Sequence, residues 1–242
     1  MQVAAAYAVN GPYHGAYAML PLWKTHVEPQ EASHTYLLVA GTTDRTYVPF
    51  PGEDPPDLNN AVWVGVSTDN GGKHYCYNTG CAGFVQTSSK ITLGGAFANV
   101  SAPGGAQIFL SVSIYKEVGE HQWWVSVMDE VVGYFPHFIF PHFFYESLHN
   151  EMGGRVLNTW PQGRHTTTQM GSGVLPAASD PNKSPAAAYL AVAANGADTK
   201  DMPVKYLITA PKCYNAAVLG ENMDVPGYDI AYGGPGGSGC DH

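Results

Sequence analysis

The chain has 242 residues, of which 45% are hydrophobic, 12% aromatic and only 13% charged. That balance argues against disorder, because enough apolar surface is present to offset the entropy of ordering the chain. The 11 Lys and Arg are scattered among 20 Asp and Glu, for a net charge of −9, which disfavours nucleic acid as a partner because phosphates need clustered cations.

The N-terminal Met1-Gln2-Val3-Ala4-Ala5-Ala6 lacks the basic start of a signal peptide, so the chain reads as a mature or recombinant fragment whose leader is absent. Gly15 to Trp23 alternates loosely, and Ser33 to Ala40 reads as a strand. Asp44 to Asn60 is a Pro-rich loop, too polar and too broken to pair in a sheet. Loops of that length are often functional. Ala61 to Thr68 places Val62, Val64 and Val66 on one face, and Gly83 to Thr87 with Lys90 to Gly94 reads as a hairpin around Ser88-Ser89. Gln107 to Tyr115 alternates most cleanly, with Leu110, Val112 and Ile114 on one side. Trp123 to Val127 continues the pattern. Phe138 to Met152 is the one candidate helix, and Pro141 restricts its start.

Further strands are expected at Arg155 to Asn158, Thr166 to Met170, Ala188 to Ala193, Val204 to Thr209 and Tyr228 to Tyr232. The abundance of Gly (28) and Pro (18) supplies the turns between them. Ten to a dozen short strands predict an all-β antiparallel sandwich, jelly-roll-like, with two stacked sheets and at most one short helix. No linker divides the chain, so residues 1–242 read as a single domain. Apolar runs such as Ala186 to Ala194 are too short to span a bilayer.

Four cysteines fall as Cys76 and Cys81, five apart, and Cys213 and Cys240. An even count in a turn-rich chain suggests disulfides and an oxidising compartment. Free thiols and a zinc site are the alternatives, the latter weak because no second close pair exists. Asn99 opens an N-x-S glycosylation sequon; the second, at Asn182, is weakened by Pro185. No pair among His137, His142 and His149 has zincin spacing, and no metal or cofactor is predicted. Ser172 sits in Gly-Ser-Gly rather than a nucleophile elbow, and Gly233 to Gly239 is a mobile tail rather than a phosphate loop. In a strand, one of Trp123 and Trp124 faces the core and the other a surface or groove, where an aromatic wall suits proline rings or sugar faces.

Several ordered blocks carry a more specific signal. They are Gly11-Pro12-Tyr13-His14-Gly15-Ala16, Cys76-Tyr77-Asn78-Thr79-Gly80-Cys81-Ala82-Gly83-Phe84-Val85-Gln86, and Trp123-Trp124 with Val132-Gly133-Tyr134-Phe135-Pro136. They continue with Gly153-Gly154-Arg155-Val156-Leu157-Asn158, Gln169-Met170-Gly171-Ser172-Gly173, Cys213-Tyr214 and Tyr232-Gly233-Gly234-Pro235-Gly236. Together they resemble the neprosin family of secreted glutamic prolyl endopeptidases, along essentially the whole chain. The resemblance implies two stacked antiparallel sheets and a groove across one of them, with catalytic glutamates facing into it. It also implies disulfides Cys76–Cys81 and Cys213–Cys240, and a secreted, extracellular protein. Groove residues by the same resemblance are Tyr47, Trp123, Trp124, His165 and Gln169; His165 is alternatively an internally bonded sheet histidine.

Active relatives are expected to use two carboxylates sharing a proton, one acid and one base. Here the second glutamate position is Arg155, between an intact Gly153-Gly154 and Asn158, and the first falls on Asp44. An arginine gives up no proton in a working pH range and holds a neighbouring carboxyl ionised. Glu151, four residues before Arg155, reads as a solvated charge or a local partner for an arginine. The expectation is a non-catalytic domain that binds an extended Pro-rich polypeptide or a glycan, or a structural module that self-associates. The alternative is an endopeptidase with an altered catalytic pair.

Overall fold

The computed structural model describes residues 1–8, 11–41, 61–70, 78–80, 82–117, 119, 121–140, 145–160, 164–176, 188–193, 203–222 and 227–240. Asp44, Tyr47, Cys76, Cys81, Asn182 and the Pro-rich loop lie outside them. In chain order the strands are β1 (Gln2–Ala8), β2 (Gly15–Pro21), β3 (Ala32–Ala40), β4 (Ala61–Asp69) and β5 (Val85–Gln86). Next come β6 (Phe109–Tyr115), β7 (Trp123–Val127), β8 (Glu130–Phe135), β9 (His149–Leu157) and β10 (Met170–Gly171). The last are β11 (Ala188–Ala193), β12 (Val204–Ile208), β13 (Asn215–Glu221) and β14 (Tyr228–Gly234).

These form two antiparallel sheets, as the alternation predicts. The smaller has the order β12-β1-β9-β3-β4, and the larger runs β10-β14-β11-β2-β6-β7-β8-β5 with β13 beside β14. Alternate residues of each strand meet between the sheets: Ala4, Ala6 and Ala8 of β1, Leu37 and Val39 of β3, and Ala18, Leu20, Val112, Ile114 and Trp123 from the larger sheet. The small alanines of β1 leave room for the bulkier layer opposite. A second apolar cluster, Val3, Ala5, Tyr36, Leu38 and Ala40, lies on the other face of the smaller sheet.

Four expectations are corrected. Among the described residues of Phe138 to Met152 there is no α-helix: a single 3-10 turn spans His137–Ile139, and β9 begins at His149. The period there is two, with His149, Glu151, Gly153 and Arg155 on one face and Asn150, Met152, Gly154 and Val156 on the other. The hairpin at 83 to 94 is not formed. Only Val85–Gln86 is a strand, it pairs with β8, and the Gln86 amide donates to the carbonyls of Ser88 and Ile91. Gly233 and Gly234 are paired strand rather than tail. The Thr166 to Met170 segment contributes only Met170 to a strand, and β1, β8 and β13 are additions to the expected set.

The Cys213–Cys240 disulfide is formed, with Cα atoms 5.2 Å apart. It ties the end of the chain to the turn before β13. Asn99 lies in an exposed loop, open to modification. Among the described residues no helix is long and apolar enough to cross a membrane.

Candidate functional site

Arg155 lies on β9, the central strand of the smaller sheet, on the face turned away from the inter-sheet core. Its neighbours across the sheet are Val3 on β1 and His34 on β3. The side chain is only 1% exposed. Its Nη2 lies 3.6 Å from Glu151 Oε1, two pleat repeats back along the same face with Gly153 between them. The guanidinium packs over the rings of Trp63 at 3.9 Å and Tyr36 at 4.7 Å. Such cation–π contacts strengthen when desolvated. The expected carboxylate partner of Arg155 is therefore present, and it is Glu151; Asp44 lies outside the described residues.

Glu151 is fully buried, which replaces the solvated-charge reading by that of a local partner. The Tyr36 hydroxyl donates to its Oε1. His149 Nε2 donates to Oε2 at 3.0 Å. Burial first, with Glu151 adding to it, pushes the Tyr36 phenol well above its ordinary range, so it stays a donor; the Arg155 charge opposes this.

Two glycines make room for this cluster. Tyr36 is flanked across the sheet by Gly153 on β9 and Gly65 on β4. A Cβ on Gly65 would lie 2.1 Å from the Thr35 carbonyl oxygen, and one on Gly153 would lie 2.4 Å from that of Ala4.

A second buried carboxylate, Glu31, is held by the HTTTQ segment. Its Oε1 accepts from the Thr159 amide and hydroxyl, at 2.9 and 3.0 Å, and its Oε2 from the Thr166 and Thr168 hydroxyls, each at 2.5 Å. Tyr214 caps it by donating to the Thr168 carbonyl at 2.6 Å, and burial, then Glu31, raises the Tyr214 phenol out of the ordinary range. With every lone-pair direction engaged, Glu31 serves to fix the chain rather than to move protons.

The other residues singled out in sequence are dispersed. His165 bonds Gln2, which shares the core-facing side of β1 with Ala4, opposite the Arg155 face. Gln169 ties down residue 26: its amide donates to the His26 carbonyl at 2.9 Å and its side-chain oxygen accepts from the His26 amide at 3.2 Å. Trp123 is wholly buried between the sheets, so the surface member of the pair is Trp124, on the outer face of the larger sheet. Of the predicted site residues within the described set, Arg155 alone occupies the outer face of the smaller sheet.

Tyr36, Trp63, His149 and Glu31 were not singled out in sequence. Of these, His149 becomes visible once β9 is read with period two, because it then shares a face with Glu151 and Arg155; Tyr36 and Trp63 follow only from the registers of β3 and β4 beside β9, and nothing local marks Glu31. The arrangement can hold a buried cation rigidly. Among the described residues it offers no pair of carboxyls sharing a proton and no cluster that could hold a metal ion. Residues 56–235, well over half the chain, match the family model described as Neprosin.

Proposed function

The chain belongs to the neprosin family, and we propose that it is an exported, non-catalytic member that binds an extended polymer, polypeptide or glycan, without cutting it. The observation that carries this reading is Arg155 at a glutamate position of the family resemblance, buried and ion-paired to Glu151. Glutamate-pair hydrolysis needs one carboxyl that holds a proton and another that accepts one from water. Arg155 does neither. Glu151 does not substitute, because it is buried and committed to Arg155, Tyr36 and His149. The Cys213–Cys240 disulfide supports export to an oxidising compartment.

The test is incubation of the purified chain with a Pro-rich peptide from pH ~2.5 to ~7, spanning the range in which carboxyl pairs work, with products read by mass spectrometry. The expected result is intact peptide throughout. Cleavage after proline that Asp44→Ala or Glu151→Gln abolishes would replace this reading by that of an endopeptidase with an altered pair.

A further inference from the structure

On the outer face of the larger sheet the strand registers bring three rings into one row across neighbouring strands. Tyr115 of β6 pairs with Trp124 of β7, and Trp124 with Tyr134 of β8. All three are half-buried. The row covers two strand spacings, on the order of 10 Å. Trp124 and Tyr134 lie 4.9 Å apart with planes tilted by 53°, so the strip is twisted with the sheet.

The next row along the strands is hydroxylic. Tyr17, Ser113 and Ser126 stand side by side there, with Ser111 one pleat further on. These residues, with Tyr115 and Asp129, line a shallow cavity of about 320 Å³. Asp129 is the single charged residue in that lining. It reaches the cavity from the tight turn between β7 and β8, where Met128 and Asp129 both adopt left-handed backbone, with φ of 50° and 62°. Asp tolerates this backbone but Met128 is not the Gly, Asn or Asp that such turns favour, so the turn carries strain of about 1 kcal/mol or more. Strain of this kind collects where a side chain must be held in place for function.

We propose that this face is a binding platform for a neutral glycan chain, seated with its sugar rings on the Tyr115–Trp124–Tyr134 strip and its hydroxyls on the serine row and Asp129. Aromatic faces cover the apolar C–H faces of sugars, and tyrosine supplies a polar edge as well. Serine hydroxyls both donate and accept, as sugar hydroxyls do. The lining has one carboxylate and no cation, which repels acidic polymers and leaves neutral ones. An extended polypeptide fits less well. β6 and β7 are paired on both sides and offer no free edge for strand addition. The proposal rests on the binding reading above but on a different face from Arg155, so failure of one leaves the other standing.

The test is native gel electrophoresis through separate gels containing soluble glucomannan, arabinoxylan or mixed-linkage β-glucan, beside titration with a Pro-rich peptide. Expected is retarded migration in at least one polysaccharide, weakened roughly tenfold or more by Trp124→Ala and retained by Trp124→Phe, which keeps a ring. Circular dichroism spectra matching the wild type show that both variants fold; if Trp124→Ala does not, Ser113→Lys, which blocks the hydroxyl row, takes its place. Unretarded migration in all three gels overturns the proposal, as does retardation indifferent to both substitutions. Trp124-dependent binding of the peptide without any polysaccharide binding assigns the face to polypeptide instead. Loss of the proposed non-catalytic status would show only in the cleavage assay.

Discussion

Glu151→Gln keeps the shape of the side chain and removes the negative charge beside Arg155. The guanidinium is 1% exposed and cannot turn to water without opening the face of the sheet. Removing one member of a buried pair costs about 3–5 kcal/mol, because the other charge is left uncompensated. At about 2–4 °C per kcal/mol for a chain of this size, the melting temperature should fall by roughly 6–20 °C. Arg155→Met should cost less, about 2–3 kcal/mol, since Glu151 keeps its bonds from Tyr36 and His149 and His149 can take up a proton. The double variant buries no unpaired charge, and buried pairs replaced by neutral groups are often tolerated. It gives up the stacking of the guanidinium on Trp63, about 2 kcal/mol when desolvated. It should therefore melt closer to the wild type than Glu151→Gln alone, with a coupling of about 2 kcal/mol or more. Urea titration of the four proteins at neutral pH measures this cycle. Single effects that simply add, with coupling below about 0.5 kcal/mol, would refute the claim that Arg155 and Glu151 form one unit.

The Cys213–Cys240 bond closes a span of 27 residues. Cys213→Ser with Cys240→Ser should therefore lower stability by about 3–4 kcal/mol on loop entropy alone, read as an earlier midpoint in urea. The half-buried Glu28 carboxyl is held below its ordinary range, first by the Thr167 hydroxyl and then by His26. Its contribution is present above the unfolded pKa and lost as pH falls through the lower folded one. Carboxyl NMR titration should find Glu28 ionising at lower pH than a free glutamate, and Thr167→Val should move it back up.

Strand content was legible where one face is apolar and the other polar, as in Phe109–Tyr115 with its alternating burial. It was least legible where both faces are buried. His149, Glu151 and Arg155 are all buried, yet the segment is polar enough to hide its alternation, so His149 to Met152 read as the end of a helix and only Arg155 onward as a strand. β1 is buried on both faces by alanines, which carry little strand signal of their own. Within the site, Arg155 was found through motif register, and its need for a carboxylate followed from the cost of burying a charge. The identity of that carboxylate did not follow, because Glu151 lies two pleat repeats back along a segment that did not read as a strand. The Glu31 cluster was illegible because its donors come from residues more than a hundred positions away in sequence.

The paired glycines of β9 have a consequence for the thickness of the sandwich. A Cβ on Gly153 would lie 2.4 Å from the Ala4 carbonyl oxygen and 2.5 Å from the Ala5 Cα of β1, while a Cβ on its neighbour Gly154 would lie 2.5 Å from Met170 and 3.0 Å from Tyr232, on the inner side. Two successive positions of one strand are thus closed to any side chain, one by the neighbouring strand and one by the opposite layer. Tyr232 also reaches through to β3, donating to the Thr35 hydroxyl at 2.9 Å, one residue from Tyr36. A methyl group at Gly153 would therefore press on β1 within the sheet, and one at Gly154 on Met170 and Tyr232 between the sheets. That requirement belongs to the backbone, so it holds whatever side chain stands at position 155.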